Sequence, residues 1–225
     1  MNLFFDCEFT GLRKDTTLIS LGIVSDNGKK FYAEFTDFNW GYVDEWIQKN
    51  VLDKLILKKF YPHGGKEIEE QMEEWKNEGY EVSNLPTMNT FCLLYNTKRT
   101  KNDFTEVVGD SDWIREALLE WFSQFVSIQF VSDVCHYDFV LLIDLLTGGK
   151  TALDLPDNIS AVCHDINSDI ARHYGVPEKE SFDFSREETM YDVCMGCNYV
   201  EGTKHNALYD AEVIKAIWEA VNAGV

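Results

Sequence analysis

Leu3-Phe4-Phe5-Asp6-Cys7-Glu8-Phe9 sets two carboxylates into a hydrophobic, aromatic run. The run is too short for an amphipathic helix and too apolar for a loop, which predicts a central strand. Side chains alternate along a strand, so Asp6 and Glu8 point to the same side, where two unpaired carboxylates resist ionising together. A positive group between them is expected. The alternative is a strand that ends at Phe5, with both acids in a solvated turn.

The far end of the chain supplies a partner. After Lys204-His205-Asn206, the residues Ala207, Asp210, Ile214, Ile217 and Val221 fall along one helical stripe, which puts Asp210 on the apolar face. A charge there is costly unless it is paired or bound to a metal. On an ideal helix, positions five apart are separated by about 140°, so His205 shares a site with Asp210 only if it lies just before the helix. Asn206 is a good N-cap and places it there. In mid-chain, Phe130-Val131-Ser132-Asp133 reads as a strand running into a helix over Tyr137 to Leu146, with Asp138 in the first turn.

An Asp-x-Glu on the first strand, a Tyr-Asp opening a mid-chain helix and a His-x4-Asp near the C-terminus resemble the three motifs of the DEDDh (DnaQ-like) 3′–5′ exonucleases. Phe5-Asp6-Cys7-Glu8-Phe9, Leu18-Ile19-Ser20-Leu21-Gly22-Ile23-Val24 and Asn27-Gly28-Lys29-Lys30-Phe31-Tyr32-Ala33 are similar to the start of the small bacterial RNase T-like exoribonucleases. Trp46-Ile47 and Val51-Leu52-Asp53-Lys54-Leu55 continue the likeness, which covers 1–58, 128–147 and 204–216. It implies an α/β chain of RNase H-like fold, with a five-stranded mixed sheet flanked by helices. It also implies His205 as general base, and Phe9, Thr10, Leu12 and Phe139 as contacts to the terminal base and sugar. For Phe9 and Phe139, core packing explains the residue type equally well. Where the family has an acid in the second strand, this chain has Ser20.

The acids fix the expected chemistry. Asp6, Glu8, Asp138 and Asp210 supply the hard oxygen ligands that Mg²⁺ or Mn²⁺ prefers and suit two ions about 3.5 to 4 Å apart. One ion activates water and the other stabilises the leaving 3′ oxygen, releasing nucleoside 5′-monophosphates. An imidazole takes the proton of that water at neutral pH. His136 and Asp133, beside Asp138, are discounted as rivals for the base. The expected partner is a single-stranded nucleic acid 3′ end, with RNA favoured and a single-stranded DNA exonuclease left open as the alternative, since no residue that reads a 2′-hydroxyl is identifiable. A catalytically silent relative that binds RNA or protein and uses the acids as a structural metal site is the other class. The oligomeric state stays open, a homodimer included.

The 225 residues read as one exonuclease domain, 1–225, with a helix-plus-hairpin insertion at about 64–110. A net charge of −19 argues against a protein that coats long nucleic acid, but an end-directed enzyme holds only the last few nucleotides. The first residues predict neither a signal peptide nor a membrane span, and the scattered cysteines fit reduced thiols in a cytoplasm. Cys194-Met195-Gly196-Cys197 is read as two ordinary thiols, with a metal or redox pair as the alternative. Asp26-Asn27-Gly28 signals a hairpin. Val43, Trp46, Ile47, Val51 and Leu55 predict a helical stripe covering that sheet, and 64–78 a charged helix. Met88–Tyr95 and Asp103–Val108 predict a second hairpin with Thr97-Lys98-Arg99-Thr100-Lys101 at its tip, a basic run that either guides a nucleic acid backbone or is simply solvated. A fifth strand is expected at Ile159–His164, and then a helix, capped by Asp165 or Asn167, that runs through His173 and stops at Gly175.

Overall fold

The computed structural model describes residues 1–57, 68–89, 92–194 and 199–223. β1 (Asn2–Phe9), β2 (Leu18–Ser25) and β3 (Lys30–Phe35) form an antiparallel meander, turned at Gly28, whose φ of 84° explains the glycine in the expected hairpin. β1 runs through both acids and does not end at Phe5. β7 (Gln129–Ser132) adds parallel to β1, and β8 (His164–Asp165) parallel to β7. The fifth strand is thus shorter and later than expected. Ile159 makes only an isolated bridge to Ile128.

The inserted region supplies three further strands, β4 (Glu81–Asn89), β5 (Cys92–Lys101) and β6 (Phe104–Gly109). Among the described residues the sheet therefore has eight strands, in the order β4-β5-β6-β3-β2-β1-β7-β8, and not the expected five. β6 pairs in parallel with β3, from Lys30 opposite Phe104 to Phe35 opposite Gly109, and so occupies backbone groups that an open edge would leave unpaired. The basic run is placed differently too. Lys98, Arg99 and Lys101 lie within β5, and the chain turns at Asn102, whose φ is 55°. Asn tolerates that left-handed conformation better than any residue of the run does.

Helices cover both faces. Leu3, Phe5 and Cys7 point to one side, against α3 (Ser111–Phe122) and α4 (Cys135–Thr147), where Leu118, Phe122, Phe130, Phe139 and Leu142 complete a buried cluster. Phe4 points to the other side, with Val131 of β7, Ile166, and Ile170, Met190, Ile214 and Ile217 from α5 (Asn167–Tyr174), α7 (Arg186–Cys194) and α8 (Ala207–Asn222). Asp6 and Glu8 share the parity of Phe4 and therefore face α8. α5 ends at Gly175, in the left-handed conformation, as predicted. Its start differs: Ile166 is the cap, while Asp165 Oδ1 accepts the N–H of Asn167 at 2.9 Å.

The charged helix is α2 (Ile68–Asn77), and the predicted stripe is broken into α1 (Glu45–Asn50) and two short 3₁₀ turns, Trp40–Tyr42 and Leu52–Lys54. Ile47, Val51 and Leu52 are buried with Ile19 and Phe38, but Trp46 is 54% exposed. The segment after 175 contains α6 (Glu178–Ser181) and α7. Cys194 is buried, and Cys197 lies outside the described residues. Among the described residues no helix is long and apolar enough to cross a membrane.

Candidate active site

Gly22 determines how α8 meets the sheet. It lies opposite Asp6 in the β1–β2 register, and a Cβ there would clash with the backbone of Ala207 and Leu208. Without a side chain, the first turn of α8 sits directly on β2, beside the two strand acids. Asn206 caps α8 by accepting the N–H of Tyr209 at 3.2 Å, and its amide donates to the Lys54 carbonyl at 3.1 Å. His205 precedes the cap with a φ of 64°, a left-handed conformation that is strained in a residue bearing a Cβ. That turn aims its N–H at Asp210 Oδ2, 2.8 Å away. The imidazole and the Asp210 carboxylate therefore reach one cleft, as the cap position predicts.

The cleft has a volume of about 300 Å³, and Asp6, Glu8, Asp133, Arg186, His205 and Asp210 are among its walls. Two sets of carboxylates meet in this region. Asp6, Glu8 and Asp210 bring oxygens within 4.8 Å of one another, and so do Asp6, Asp133 and Asp138. Asp6 belongs to both. Asp138 is 2% exposed, in the first turn of α4, and accepts the Ser132 hydroxyl at 3.0 Å.

Burial, and after it the crowding of like charges, governs the electrostatics. Burial and then the charges of Asp138, Asp210 and Glu8 hold the Asp6 pKa well above the ordinary carboxylate value. Burial, followed by Asp133, does the same to Asp138 against the opposing Ser132 hydrogen bond. Burial and Glu8 push Asp210 up to about 7. His205 Nδ1 faces Glu8 Oε1 at 3.6 Å. This hydrogen-bonding contact raises the imidazole pKa from its ordinary 6.5, burial opposes the rise, and the Glu8 and Asp210 charges add to it. At 3.6 Å the hydrogen bond is stretched, so we assign most of the effect to the charges.

The four acids and the histidine singled out in the sequence thus converge. Asp133, discounted there, joins them. It carries an ion pair from Arg186 Nε at 2.7 Å, and the same guanidinium donates to Asn167 Oδ1 at 2.6 Å and to the carbonyls of Ser181 and Phe184. Arg186 was missed because it stands in the segment 176–203, where no motif or periodicity marks it. The other discounted residue, His136, is exposed, with its ring against Tyr137 and Phe182.

The expected substrate contacts separate. Phe9 is half-buried and stacks on Tyr137, with ring centroids 5.9 Å apart, and Leu12 is 74% exposed. Phe139 packs edge-on against Phe5 in the core. Thr10 is buried, with its hydroxyl shared with Thr16 and Thr17. Packing and local hydrogen bonding account for these two. Trp46, grouped with the core in the sequence reading, sits edge-on to the His205 ring at 5.1 Å. Ser20 is buried directly opposite Glu8, and no hydrogen bond to its hydroxyl is found among the described residues.

The donor set suits hard divalent cations. The candidate ligand atoms of both three-acid clusters are carboxylate oxygens, and Asp6 is common to the two.

No family model matches the chain. Over 55 residues, 24% of this chain, it is 36% identical to two proteins of Mycobacterium tuberculosis, from strains CDC 1551 and H37Rv, each named a 3′-5′ exoribonuclease. The matched stretch spans 33% of the length of each.

Proposed function

We propose that the chain is a divalent-metal-dependent 3′–5′ exonuclease that removes nucleoside 5′-monophosphates from single-stranded 3′ ends, with RNA as its substrate. The convergence of five acids on two clusters joined at Asp6, with a histidine alongside, carries this reading. The naming of the two partial relatives as 3′-5′ exoribonucleases supports the reaction, its polarity and the choice of RNA. The mixed sheet flanked by helices is compatible with an RNase H-like fold, and we read the chain as a single catalytic domain.

Asp6, Glu8 and Asp210 would hold one Mg²⁺ or Mn²⁺, and Asp6 with Asp138 the other. When bound, the ions lend positive charge to the scissile phosphodiester and make water acidic enough to attack at neutral pH. His205 is the proton acceptor. Its Nδ1 faces Glu8, which leaves Nε2 to take the proton from the attacking water. Glu8 then stabilises the imidazolium, in keeping with the upward push its charge gives the His205 pKa. The left-handed turn and the hydrogen bond from its backbone N–H to Asp210 fix the His205 backbone from which the ring projects. Trp46, whose ring meets that of His205, and Phe9 and Leu12, which follow the strand acids, would offer surfaces for the terminal bases. Stacking of this kind contributes about 1 to 3 kcal/mol per base and tolerates any sequence.

Replacing Asp6, Glu8, Asp138 and Asp210 in turn by the matching amide tests the proposal. Each variant should fold, lose most nuclease activity and bind Mn²⁺ more weakly by isothermal titration. Unchanged Mn²⁺ affinity in all four would rule out the shared site.

A further inference from the structure

On the side of β7 facing away from β1, two thiols meet outside the set of groups assigned to catalysis. Cys135 is the first residue of α4, and Cys163 immediately precedes β8. Their Sγ atoms lie 3.0 Å apart, and both cysteines are free and partly exposed. Cys135 Sγ also approaches the carbonyls of Ser132 at 3.6 Å and His164 at 3.3 Å, so its thiol is held between β7 and β8 and not left to rotate. Cys163 opens onto a cavity of about 540 Å³ between β8, α5 and α8, lined by Gln129, His164, Ser168 and Trp218 among others, which gives a small reagent access to the pair. The free cysteine Cys7, by contrast, is buried in the core.

A disulfide has its sulfurs about 2.05 Å apart, so closure requires the two atoms to approach by about 1 Å. The strands leave little freedom on the β8 side, because β8 is hydrogen-bonded to β7 through Val131–His164 and Ser132–Asp165. The movable partner is the N-terminus of α4, whose cap, Val134, makes no side-chain hydrogen bond. Asp138 lies three residues further along, in the same turn.

We infer that Cys135 and Cys163 are a reversible dithiol–disulfide modification site, with a hydroperoxide as oxidant, whose closure draws the first turn of α4 toward β8. The two thiols give up two hydrogen atoms and two electrons to form the S–S bond. Hydrogen peroxide accepts them and leaves as two waters. A dithiol reductant reverses the change. The consequence for nuclease activity rests on the proposed role of Asp138, where a displacement near 1 Å costs about a hundredfold in rate. The bond itself does not depend on that role.

The test treats the reduced full-length chain with hydrogen peroxide and reads three quantities. Peptide mapping should show the segments containing Cys135 and Cys163 joined and lighter by two hydrogen atoms, and dithiothreitol should separate them. Amide exchange over the first turn of α4 should slow by about tenfold in the oxidised form as the turn is tied down. Activity on single-stranded RNA should fall by about tenfold or more and return on reduction. Cys163→Ser and Cys135→Ala, each on its own, should keep basal activity and escape the loss. Absence of the linked peptides overturns the site, and linked peptides with unchanged exchange overturn its coupling to α4. A reduced protein that cleaves no nucleic acid counts against the proposed function, while the mapping and exchange results still decide the thiol chemistry.

Discussion

Asp210→Asn should stabilise the metal-free protein at alkaline pH, and the size of the gain follows from the site. The Asp210 pKa is raised from 3.8 to about 7, burial being the largest cause and Glu8 the next. At about 1.4 kcal/mol per tenfold change in proton affinity, that difference corresponds to about 4 kcal/mol. Solvent reaches part of the side chain, which lowers the expected gain to between about 2 and 4 kcal/mol. A carboxyl whose folded pKa lies above its unfolded value contributes stability that is complete below the unfolded pKa and is lost as pH rises through the folded one. For Asp210 that window runs from 3.8 to about 7, and Asp6 and Asp138 shift in the same direction. Asparagine cannot ionise, yet its side-chain oxygen still accepts the His205 N–H.

Urea unfolding of both proteins in EDTA, followed by circular dichroism, measures the effect. The variant should match the wild type near pH 4 and exceed it by about 2 to 4 kcal/mol at pH 8. With Mn²⁺ the gap should narrow by up to about 2.7 kcal/mol, because ligand at about a hundred times its Kd stabilises the wild type by that amount and the variant has lost a ligand. A stability difference equal at pH 4 and pH 8 would refute the electrostatic account.

Glu8→Gln should lower the His205 pKa toward its ordinary value, visible by NMR in the metal-free protein as an imidazole titration midpoint moved to lower pH; an unmoved midpoint would remove Glu8 as the cause. His205→Ala should cut turnover by about 10² to 10⁴ with Mn²⁺ affinity nearly intact, and His136→Ala should change little. If His136→Ala proved the more damaging, the base would be misassigned. Gly22→Ala should cost about 1 to 3 kcal/mol, since its methyl meets the backbone of α8, and unfolding at unchanged denaturant would show that α8 can retreat. Replacing Lys98, Arg99 and Lys101 by glutamine should leave KM for long and short oligonucleotides alike, because Lys98 pairs with Glu120 at 2.6 Å and Arg99 is bound to Glu106 over the Tyr80 ring. A rise in KM confined to long substrates would restore the run to nucleic acid binding.

The acids were legible because each breaks a pattern that physics otherwise enforces. Asp6 and Glu8 interrupt an apolar strand, and Asp210 interrupts an apolar helical stripe; burying charge without a partner is costly enough that the exceptions point to one site. His205 was legible from a single cap, Asn206. Asp133 and Arg186 were not, because their meaning lies in a contact across 53 positions that neither periodicity nor spacing records. That the strands of the second hairpin would extend the main sheet was hidden for a similar reason. The pairing of β6 with β3 joins segments about 75 residues apart, and an exposed strand edge carries no sequence signature for which segment will complete it. Trp46 misled because an indole at a helical spacing reads as core, whereas here it lies against the His205 imidazole. The tip of the second hairpin was misplaced by composition. Charge marked the basic run as a turn, but backbone conformation put the turn at Asn102.

The most direct test follows the products of single-stranded RNA carrying a 5′ label and a free 3′-hydroxyl, incubated with the purified protein and Mn²⁺. A ladder that shortens one nucleotide at a time, with release of unlabelled nucleoside 5′-monophosphates and complete arrest by EDTA, is the result the acid cluster and His205 predict. Label released first as a mononucleotide, or an intact substrate in the presence of folded protein with Mn²⁺ bound, would contradict it.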